Sequence, residues 1–269
     1  MVHSFDAAIR LEPDSERVML GRTIPEYGNA VGPFGGTTAA VLLHAMELQP
    51  DRVGDPVALT VNFAAPIADG DFRIETTLVR ANRSNQHWTA SLTQSAGVMS
   101  TATAVFGTRR NAWSSTEAVL PDVPQPESVE RVPGPEGVVF LQNFDLRFVS
   151  GPPPADGIAR SSSTTTLWVR DDPARKLDFS GLAALSDIFY PRVFLRRGMP
   201  VPAGTISMTT YLHVDAAELA DVGDDYILAT AQGQQFARGY FDQRAQLWSR
   251  SGTLLATSNQ VVYYKNSFG

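Results

Sequence analysis

The sequence contains no cysteine and only four histidines among its 269 residues. Without a thiol the chain cannot form disulfides, thiolate zinc sites or iron–sulfur clusters, and it cannot use a cysteine nucleophile. The histidines, His3, His44, His87 and His213, lie far apart. No two of them have the i, i+4 spacing that places two imidazoles on one helical face. We therefore expect no metal site and no cofactor.

Basic residues and long apolar runs are also scarce. The chain has 22 Lys and Arg against 28 Asp and Glu, a formal net charge of −6. This balance argues against nucleic acid as a main partner, since binding phosphates requires a clustered basic face. No run approaches the roughly 18 apolar residues of a membrane span, and the opening MVHSFDAAIRLEPDSER lacks the apolar stretch of an export signal. We expect a soluble, cytoplasmic protein without a membrane span.

Several general catalytic motifs are missing as well. The sequence has no G-x-S-x-G, no G-x-x-x-x-G-K-[ST], no G-x-G-x-x-G and no H-E-x-x-H. These are the motifs of a nucleophile elbow, a phosphate-binding loop, a dinucleotide fold and a zinc protease. Serine hydrolase, nucleotide-binding and zinc-protease functions therefore lose their main support.

The composition present is that of a folded protein, with 43% hydrophobic and 19% charged residues. At about 150 residues per domain, the length favours slightly fewer than two domains. Residues 120–136, LPDVPQPESVERVPGPE, are dense in proline and acid, which is typical of a linker. We predict an N-terminal domain over residues 1–117, a Pro-rich linker over 118–137 and a C-terminal domain over 138–269.

Hydrophobic periodicity predicts one helix and four strands in the first half of the chain and a similar order in the second half. In the first half a Gly-rich loop leads into a helix at 37–48, and strands follow at 57–63, 72–79, 87–93 and 98–106. In the second half we predict strands at 144–149 and 162–169, a helix at 182–195 interrupted by Pro191, and strands at 205–213, 226–236, 240–248 and 253–264.

The two halves superpose by residue number. A shift of 155 carries Gly97 to Gly252, and a shift of 149 carries Thr60 to Thr209, the difference of 6 fitting in an extra loop at 215–224. The alternative is that two antiparallel meanders share only their composition. We predict an α+β fold of two tandem copies, each a long helix wrapped by an antiparallel β-sheet. The sheets would join across an intrachain pseudo-twofold, with a ligand site between the halves.

Three polar residues lie where the local pattern is apolar or strand-forming: Asp187, Thr205 and Gln260. Asp187 interrupts an apolar stretch, and a carboxylate buried there must be hydrogen-bonded or protonated because unpaired burial is costly. Each residue also has an ordinary explanation. Asp187 could cap a helix or be exposed, Thr205 suits a strand, and the amide of Gln260 could face solvent.

Short segments in both halves carry a family resemblance. They are Phe34-Gly35-Gly36, Phe63-Ala64-Ala65-Pro66, Arg83-Ser84, Trp168-Val169-Arg170, Leu185-Ser186-Asp187, Ala203-Gly204-Thr205-Ile206, Ala237-Arg238-Gly239, Gly252-Thr253-Leu254 and Gln260. In this order and spacing the chain resembles the type II acyl-CoA thioesterase family, whose chains are double hot-dogs. The resemblance implies that Asp187, Thr205 and Gln260 orient and activate a hydrolytic water. It also implies an acyl-CoA substrate and self-association into a homo-oligomer.

Thioester hydrolysis is plausible chemically without cysteine or a catalytic histidine. The leaving thiolate has a conjugate acid with a pKa of about 8.5 by analogy with cysteine, so it needs little help from a general acid. The site must supply a base, which we assign to Asp187, and donors for the oxyanion. We assign the oxyanion and substrate contact to the backbone at Gly35 and Gly36, because glycines permit close approach and a helix N-terminus favours negative charge. A tight turn into the helix is the alternative role for these glycines.

The repeat predicts one hydrolytic site per chain. Applied backwards, the shifts carry Asp187, Thr205 and Gln260 to Thr38, Pro56 and Val105, so the N-terminal copy lacks all three functional groups.

Two departures from the family pattern leave other functions open. Ser207-Met208-Thr209 stands where the family commonly has an acid, a His and a Ser, and Val261-Val262 stands in place of an acid and a Gly. A non-catalytic acyl-thioester-binding protein is one alternative. A hot-dog hydratase or dehydratase is another, and only His213 or His87 could supply its histidine.

Overall fold

The computed structural model describes residues 2–135 and 137–265, and within these ranges thirteen strands form one antiparallel sheet. Residues 1 and 266–269 of the predicted domains and residue 136 of the predicted linker lie outside the described residues. The sheet is accompanied by a small number of short and medium helices. An α+β fold with a large antiparallel sheet is therefore confirmed.

The N-terminal copy begins with a short helix and a hairpin that the sequence did not predict. Its helices and strands are α1 (Ser4–Ala8), β1 (Glu12–Ser15), β2 (Val18–Arg22), α2 (Gly35–Glu47), β3 (Asp55–Phe63), β4 (Asp71–Ala81), β5 (Asn85–Gln94) and β6 (Gly97–Gly107), with a 3-10 turn at Pro25–Tyr27. Burial alternates along β4 and β5, as expected for strands with one face in the core. α2 and its four following strands agree with the prediction to within a few residues.

The C-terminal copy repeats this order with a broken helix. Its elements are β7 (Phe144–Ser150), β8 (Thr165–Asp171), α3 (Phe179–Leu185), α4 (Arg192–Arg197), β9 (Ala203–Leu212), α5 (Ala216–Val222), β10 (Ile227–Gln232), β11 (Phe236–Ala237), β12 (Tyr240–Ser249) and β13 (Leu254–Tyr264). Two 3-10 turns, Pro126–Ser128 and Val139–Asn143, precede it.

The order of strands in the sheet is symmetric about its centre. It runs β1-β2-β4-β5-β6-β3 through the first copy and β9-β13-β12-β10-β8-β7 through the second, with β11 paired only to β12. β3 and β9 pair antiparallel at the centre and join the copies into one sheet. Each strand of the first copy therefore has a counterpart in the second copy at the same distance from the centre of the sheet.

The centre of the repeat is the pair formed by Thr60 and Thr209. These residues, related by the shift of 149, are direct partners in the β3–β9 ladder, and their hydroxyl oxygens lie 2.9 Å apart. A residue that pairs with its own counterpart must lie on the twofold axis of the repeat. The intrachain pseudo-twofold is thus present, and it passes through this pair.

An irregularity in the ladder is repeated as well. In β3 one extra residue, Val57, lies between the paired residues Pro56 and Ala58. In β9 one extra residue, Ile206, lies between the paired residues Thr205 and Ser207. Because Val57 and Ile206 also differ by 149 in number, both central strands carry the same β-bulge, which bends the strand and reverses the facing of the residues beyond it.

The core lies between the sheet and the helices, where α2 packs directly against α3. Glycines permit this contact. A methyl group added at Gly36 would overlap the carbonyl oxygen of Ala184 in α3. Gly35 and Gly36 therefore let the start of one helix approach the end of the other more closely than any residue with a side chain would allow.

The long helix predicted for the second copy is absent: α3 ends at Leu185, α4 begins at Arg192, and Asp187 lies in the connection between them. Pro191 accounts for part of this break, since proline cannot donate within a helix and disfavours helical geometry in the preceding residue. The predicted strand at 226–236 is shorter too, because β10 ends at Gln232.

The loop expected at 215–224 contains the helix α5. Asp215 and Glu218 form a capping box at its start, each side chain accepting a hydrogen bond from the backbone of the other residue. The D-x-x-E spacing in the sequence is the signal that would have predicted this helix.

The Pro-rich linker packs against the second copy. Trp168 donates a hydrogen bond of 2.8 Å from its indole nitrogen to the carbonyl of Pro124. Arg250 forms a bidentate pair with Glu127, both contacts being 2.8 Å. The linker is therefore part of the folded surface, and its predicted limits of 118 and 137 stay a prediction.

Over residues 2–135 and 137–265, no helix is long and apolar enough to cross a membrane. The same ranges contain no cluster of three or more His, Asp or Glu side chains that could hold a metal ion.

The helix contact gives a first testable prediction. We expect Gly36→Ala to lower the free energy of unfolding by roughly 1–3 kcal/mol, because a backbone oxygen must move to admit the new methyl group. The matched control is Gly181→Ala in α3, where the added methyl group meets only side-chain ends at 3.2 Å or more. Urea denaturation measures both variants, and a Gly36→Ala variant as stable as the parent would contradict the packing argument.

Candidate active site

The structure brings together the three polar residues that the sequence singled out. The hydroxyl of Thr205 donates to the side-chain oxygen of Gln260 over 3.2 Å. The amide nitrogen of Gln260 in turn donates to Oδ1 of Asp187 over 2.9 Å. Asp187 follows α3, Thr205 lies in β9 and Gln260 lies in β13. Residues separated by as many as 73 positions thus form one hydrogen-bonded chain.

The β-bulge at Ile206 is what turns Thr205 towards this chain. Beyond the bulge Met208 pairs with Gln260, and before it Thr205 pairs with Val262. Side chains alternate along a strand, so without the extra residue Thr205 would lie on the face opposite Met208. With the bulge, Thr205 shares the inner face with Met208, Gln260 and Val262, all three of which are buried.

Gln260 is the central residue of the chain. It is buried, and its amide nitrogen contacts the sulfur of Met208 and the carbonyl oxygen of Ser186, each at 3.4 Å, in addition to Asp187. Met208 is one of the departures from the family pattern, and its sulfur contacts Gln260 directly. The amide is thereby fixed with its nitrogen towards the carboxylate and its oxygen towards Thr205.

Asp187 lies deep in the molecule yet keeps some accessible surface. Burial raises the pKa of its carboxyl group to about 7, while the Gln260 amide and the backbone N–H of Gly36 act in the opposite direction by favouring the charged form. A carboxyl group with this pKa is a proton acceptor near neutral pH. The arrangement can therefore activate a small molecule that carries an exchangeable proton.

The start of α2 faces the same carboxylate. A methyl group added at Gly35 would lie 2.6 Å from Oδ2 of Asp187, so only glycine permits this approach. The N-terminus of a helix carries unsatisfied N–H groups and a partial positive charge. Gly35 and Gly36 are thus placed at the site as predicted, and the Gly36 N–H acts on Asp187. Their assigned contact with substrate stays a prediction.

A buried arginine fixes the segment that follows Asp187. Arg192 is fully buried, and none of the ion pairs within the described ranges includes it. Its guanidinium donates to the hydroxyl of Thr165 over 2.6 Å and to the carbonyl of Ser163 over 3.2 Å, and burial lowers its pKa to about 10. Tyr190 donates to the carbonyl of Gly151 over 2.7 Å. These bonds tie the connection between α3 and α4 to β8 and to the loop before it.

The N-terminal copy lacks the same side chains, with one correction to the predicted counterparts. Leu59, the counterpart of Met208, pairs with Ala104, whereas Met208 pairs with Gln260. The counterpart of Gln260 is therefore Ala104, and the predicted Val105 is wrong by one residue. Pro56 occupies the place of Thr205, beside an identical bulge. Thr38 lies in the first turn of α2, whereas Asp187 follows a helix end, so these two do not share a local structure.

Gln243 is a further polar residue that the sequence analysis missed. It is the direct cross-strand partner of Gln260, it is 3% exposed, and its amide nitrogen has no hydrogen-bond partner among the described residues. The signal was present in the sequence. Gln243 alternates along β12 with Phe241, Ala245 and Leu247, which all point into the core and are buried. A polar residue among such inward-facing positions is unusual.

The histidines considered for a hydratase lie elsewhere. The ring of His213 contacts the hydroxyl of Thr257 at 3.0 Å, and His87 is exposed. Over the part of the chain that the structure describes, neither histidine forms a hydrogen bond with Asp187. A surface groove of about 490 Å³ is also separate, since Pro152–Pro154, Ser161, Ser162 and Leu195 line it and the three candidate residues do not.

Comparison with known families decides the relationship. The family described as the acyl-CoA thioesterase C-terminal domain matches residues 120–264, and the acyl-CoA thioesterase N-terminal domain matches residues 24–107. The chain belongs to the acyl-CoA thioesterase family. One matched segment lies in each copy of the repeat, so the resemblance to this family is confirmed in both halves.

Solved structures agree with this membership. A conserved protein with a hot dog fold from Alicyclobacillus acidocaldarius, described as of unknown function, is 45% identical, with a TM-score of 0.95 and complete coverage of both chains. The tesB protein of Mycobacterium avium subs paratuberculosis is 19% identical, with a TM-score of 0.80 over 98% of this chain and 100% of its own. Acyl-CoA thioesterase II TesB2 of Mycobacterium marinum is 17% identical, with a TM-score of 0.77 over 97% and 98%. The last two show the shared fold.

No curated protein sequence matches the chain.

The raised pKa of Asp187 predicts how stability depends on pH. The ordinary value is 3.8 and the value in the folded protein is about 7, so folding strengthens proton binding. The resulting stability is fully present below about pH 4 and is lost as the pH rises through about 7. Asp187→Asn prevents this loss of stability, because asparagine does not ionise. We expect the variant to gain stability relative to the parent over this interval, by at most roughly 4 kcal/mol at 1.4 kcal/mol per pKa unit.

Urea denaturation of both proteins at pH 5, 6, 7 and 8 measures the difference. Asp224→Asn removes an exposed carboxylate and controls for the change in net charge. A constant difference between Asp187→Asn and the parent across these pH values would contradict the raised pKa.

Proposed function

We propose that this protein hydrolyses an acyl-CoA to the free acid and CoA, with Asp187, Thr205 and Gln260 activating the water. The observation that carries the proposal is the hydrogen-bonded chain from Thr205 through Gln260 to the buried carboxylate of Asp187. The family membership supports the substrate class, because both halves match acyl-CoA thioesterase domains.

In this proposal Asp187 accepts a proton from the attacking water. Its pKa of about 7 leaves a substantial fraction ionised near neutral pH and makes it basic enough to take the proton in the transition state. Gln260 holds the carboxylate in place, and the hydroxyl oxygen of Thr205 keeps free lone pairs after donating to Gln260. Thr205 can therefore accept a hydrogen bond from the same water and orient it.

The N-terminus of α2 is the proposed position of the thioester oxygen. Gly35 and Gly36 allow this helix end to lie against the carboxylate, and the partial positive charge there favours a developing oxyanion. The thiolate then departs with the electron pair of the broken C–S bond. Because the N-terminal copy has Pro56 and Ala104 in place of Thr205 and Gln260, we propose one hydrolytic site per chain.

Thiol release from a panel of acyl-CoAs of increasing chain length tests the proposal. We expect Asp187→Asn to lower kcat by about 10²–10⁴-fold, the usual contribution of a positioned base. Thr205→Val and Gln260→Met lose the orienting contacts and have smaller effects. In the parent, kcat rises about tenfold per pH unit below pH 7 and levels off above it, since only ionised Asp187 accepts a proton.

Thr209→Val is the matched control for Thr205→Val. It removes a hydroxyl from the same strand, and that hydroxyl bonds to Thr60 at the twofold axis. We expect its kcat to equal that of the parent. Release of thiol by Asp187→Asn at half the parental rate would refute the role of the carboxylate. Saturable acyl-CoA binding with no release from any substrate would instead favour a binding protein, and water addition to an enoyl-CoA would favour a hydratase.

We also propose that the chain forms a homo-oligomer. The outer face of the sheet exposes apolar side chains near its centre, namely Tyr211, Tyr240, Val261 and Tyr263. Light scattering should give a mass that is a multiple of 29.2 kDa, and Val261→Lys should reduce it. Val79→Lys, at an exposed position of β4 in the other copy, is the control. A parent that scatters as a monomer would exclude self-association.

A further inference from the structure

The inner face of the C-terminal copy is polar where that of the N-terminal copy is apolar. The ladders pair Trp88 with Ala104 in one copy and Gln243 with Gln260 in the other, at equivalent places. Since the first copy folds with a tryptophan at the position of Gln243, the fold itself does not require an amide there. The polarity of Gln243 needs another explanation.

The amide nitrogen of Gln243 is a buried hydrogen-bond donor. Its nitrogen has no acceptor among the described residues, although the side chain is 3% exposed. Leaving a buried donor unpaired costs on the order of 1–3 kcal/mol. In the first copy, by contrast, the indole nitrogen of Trp88 donates to Gln86 over 3.1 Å. The orphaned donor of Gln243 is therefore explained best by an acceptor that arrives with a ligand.

The location of Gln243 identifies which acceptor this is. Directly opposed residues of an antiparallel pair have Cβ atoms about 4.5–5.5 Å apart. Gln243 and Gln260 are opposed in this way on the inner face, so the unpaired donor lies beside the residue that holds Asp187. Gln243 is thus the cross-strand neighbour of the residue that bonds to Asp187, the carboxylate that activates the water in the proposed reaction.

The proposed reaction also requires a hydrogen-bond donor for the oxyanion. The backbone N–H of Gly36 favours the ionised form of Asp187, so it is already engaged at the base. An oxyanion site uses preorganised donors that are not committed elsewhere. The Gly36 N–H, which the sequence analysis assigned to the oxyanion, is therefore not a free donor for it.

We propose that Gln243 is a catalytic residue that donates a hydrogen bond from its amide to the thioester carbonyl oxygen and stabilises the oxyanion that forms there. The inference rests on the proposed thioester hydrolysis and deepens it. As water adds to the carbonyl carbon, the C=O electron pair moves onto this oxygen, and the negative charge develops beside the amide N–H. When the C–S bond breaks, the carbonyl reforms and the thiolate leaves.

The test compares the parent with Gln243→Met, which keeps the length of the side chain and removes the donor. We expect kcat to fall by about 10²–10³-fold, as for loss of one oxyanion donor, with KM changed less than threefold. The melting temperature should stay equal or rise, because an unpaired buried donor has been removed. Ser100→Ala removes another buried and unpaired polar group, in the N-terminal copy, and should leave kcat unchanged.

A second readout does not depend on hydrolysis. An octanoyl-CoA analogue with CH2 in place of the thioester sulfur and 13C at the carbonyl is bound to each protein, and its C=O stretch is recorded by infrared difference spectroscopy. In the parent we expect the band at lower frequency than in water-free solvent, as for a carbonyl that accepts a strong hydrogen bond. In Gln243→Met the band should return towards higher frequency.

The outcomes separate the two proposals. A parent that hydrolyses acyl-CoAs, together with a Gln243→Met variant of equal kcat and an unmoved band, overturns the role of Gln243 and leaves hydrolysis standing. A parent without hydrolysis but with a band shift that Gln243→Met abolishes refutes the hydrolysis and supports the carbonyl contact. A parent that neither hydrolyses acyl-CoA nor shifts the band overturns both.

Discussion

The close approach between the start of α2 and the end of α3 is the contact on which the candidate site depends. Gly36 lies against the carbonyl of Ala184, and Gly35 lies against the carboxylate of Asp187. A side chain at either position would separate the helices. This contact also crosses the twofold axis of the repeat, so the environment of Asp187 is built by both copies. Asp187 belongs to the second copy, and the helix end that faces it belongs to the first.

Much of the fold follows from local patterns in the sequence. Alternating apolar residues located the strands, and the Gly-rich loop placed the start of α2 at Thr37, two residues after its observed start at Gly35. The shift of 149 identified Thr60 and Thr209 as counterparts, and the structure pairs them at the centre of the sheet. These features were accessible because period and turn residues act over short distances. The capping box at Asp215 was equally local and was overlooked.

The remaining features depend on how strands pair. The facing of Thr205 is set by the extra residue at Ile206, and a bulge is defined only against a partner strand. The counterpart of Gln260 was misplaced because the turn between the paired residues Trp248 and Leu254 holds one residue more than the turn between Thr93 and Val98. Pro191 is a local signal for the break in the helix around Asp187, whereas no local pattern contains the tertiary bonds of Arg192 and Tyr190 that hold this segment.

Sharing a single sheet ties the two copies together at β3 and β9. Each of these strands has the other as its outer neighbour, so neither copy has a free edge at the centre. Removing the first copy would leave β9 as a long, unpaired edge strand next to the strand that carries Gln260, and such edges template aggregation. It would also remove the helix end that faces Asp187. Neither copy can therefore be removed without disturbing the candidate site, although only one copy supplies the three polar side chains.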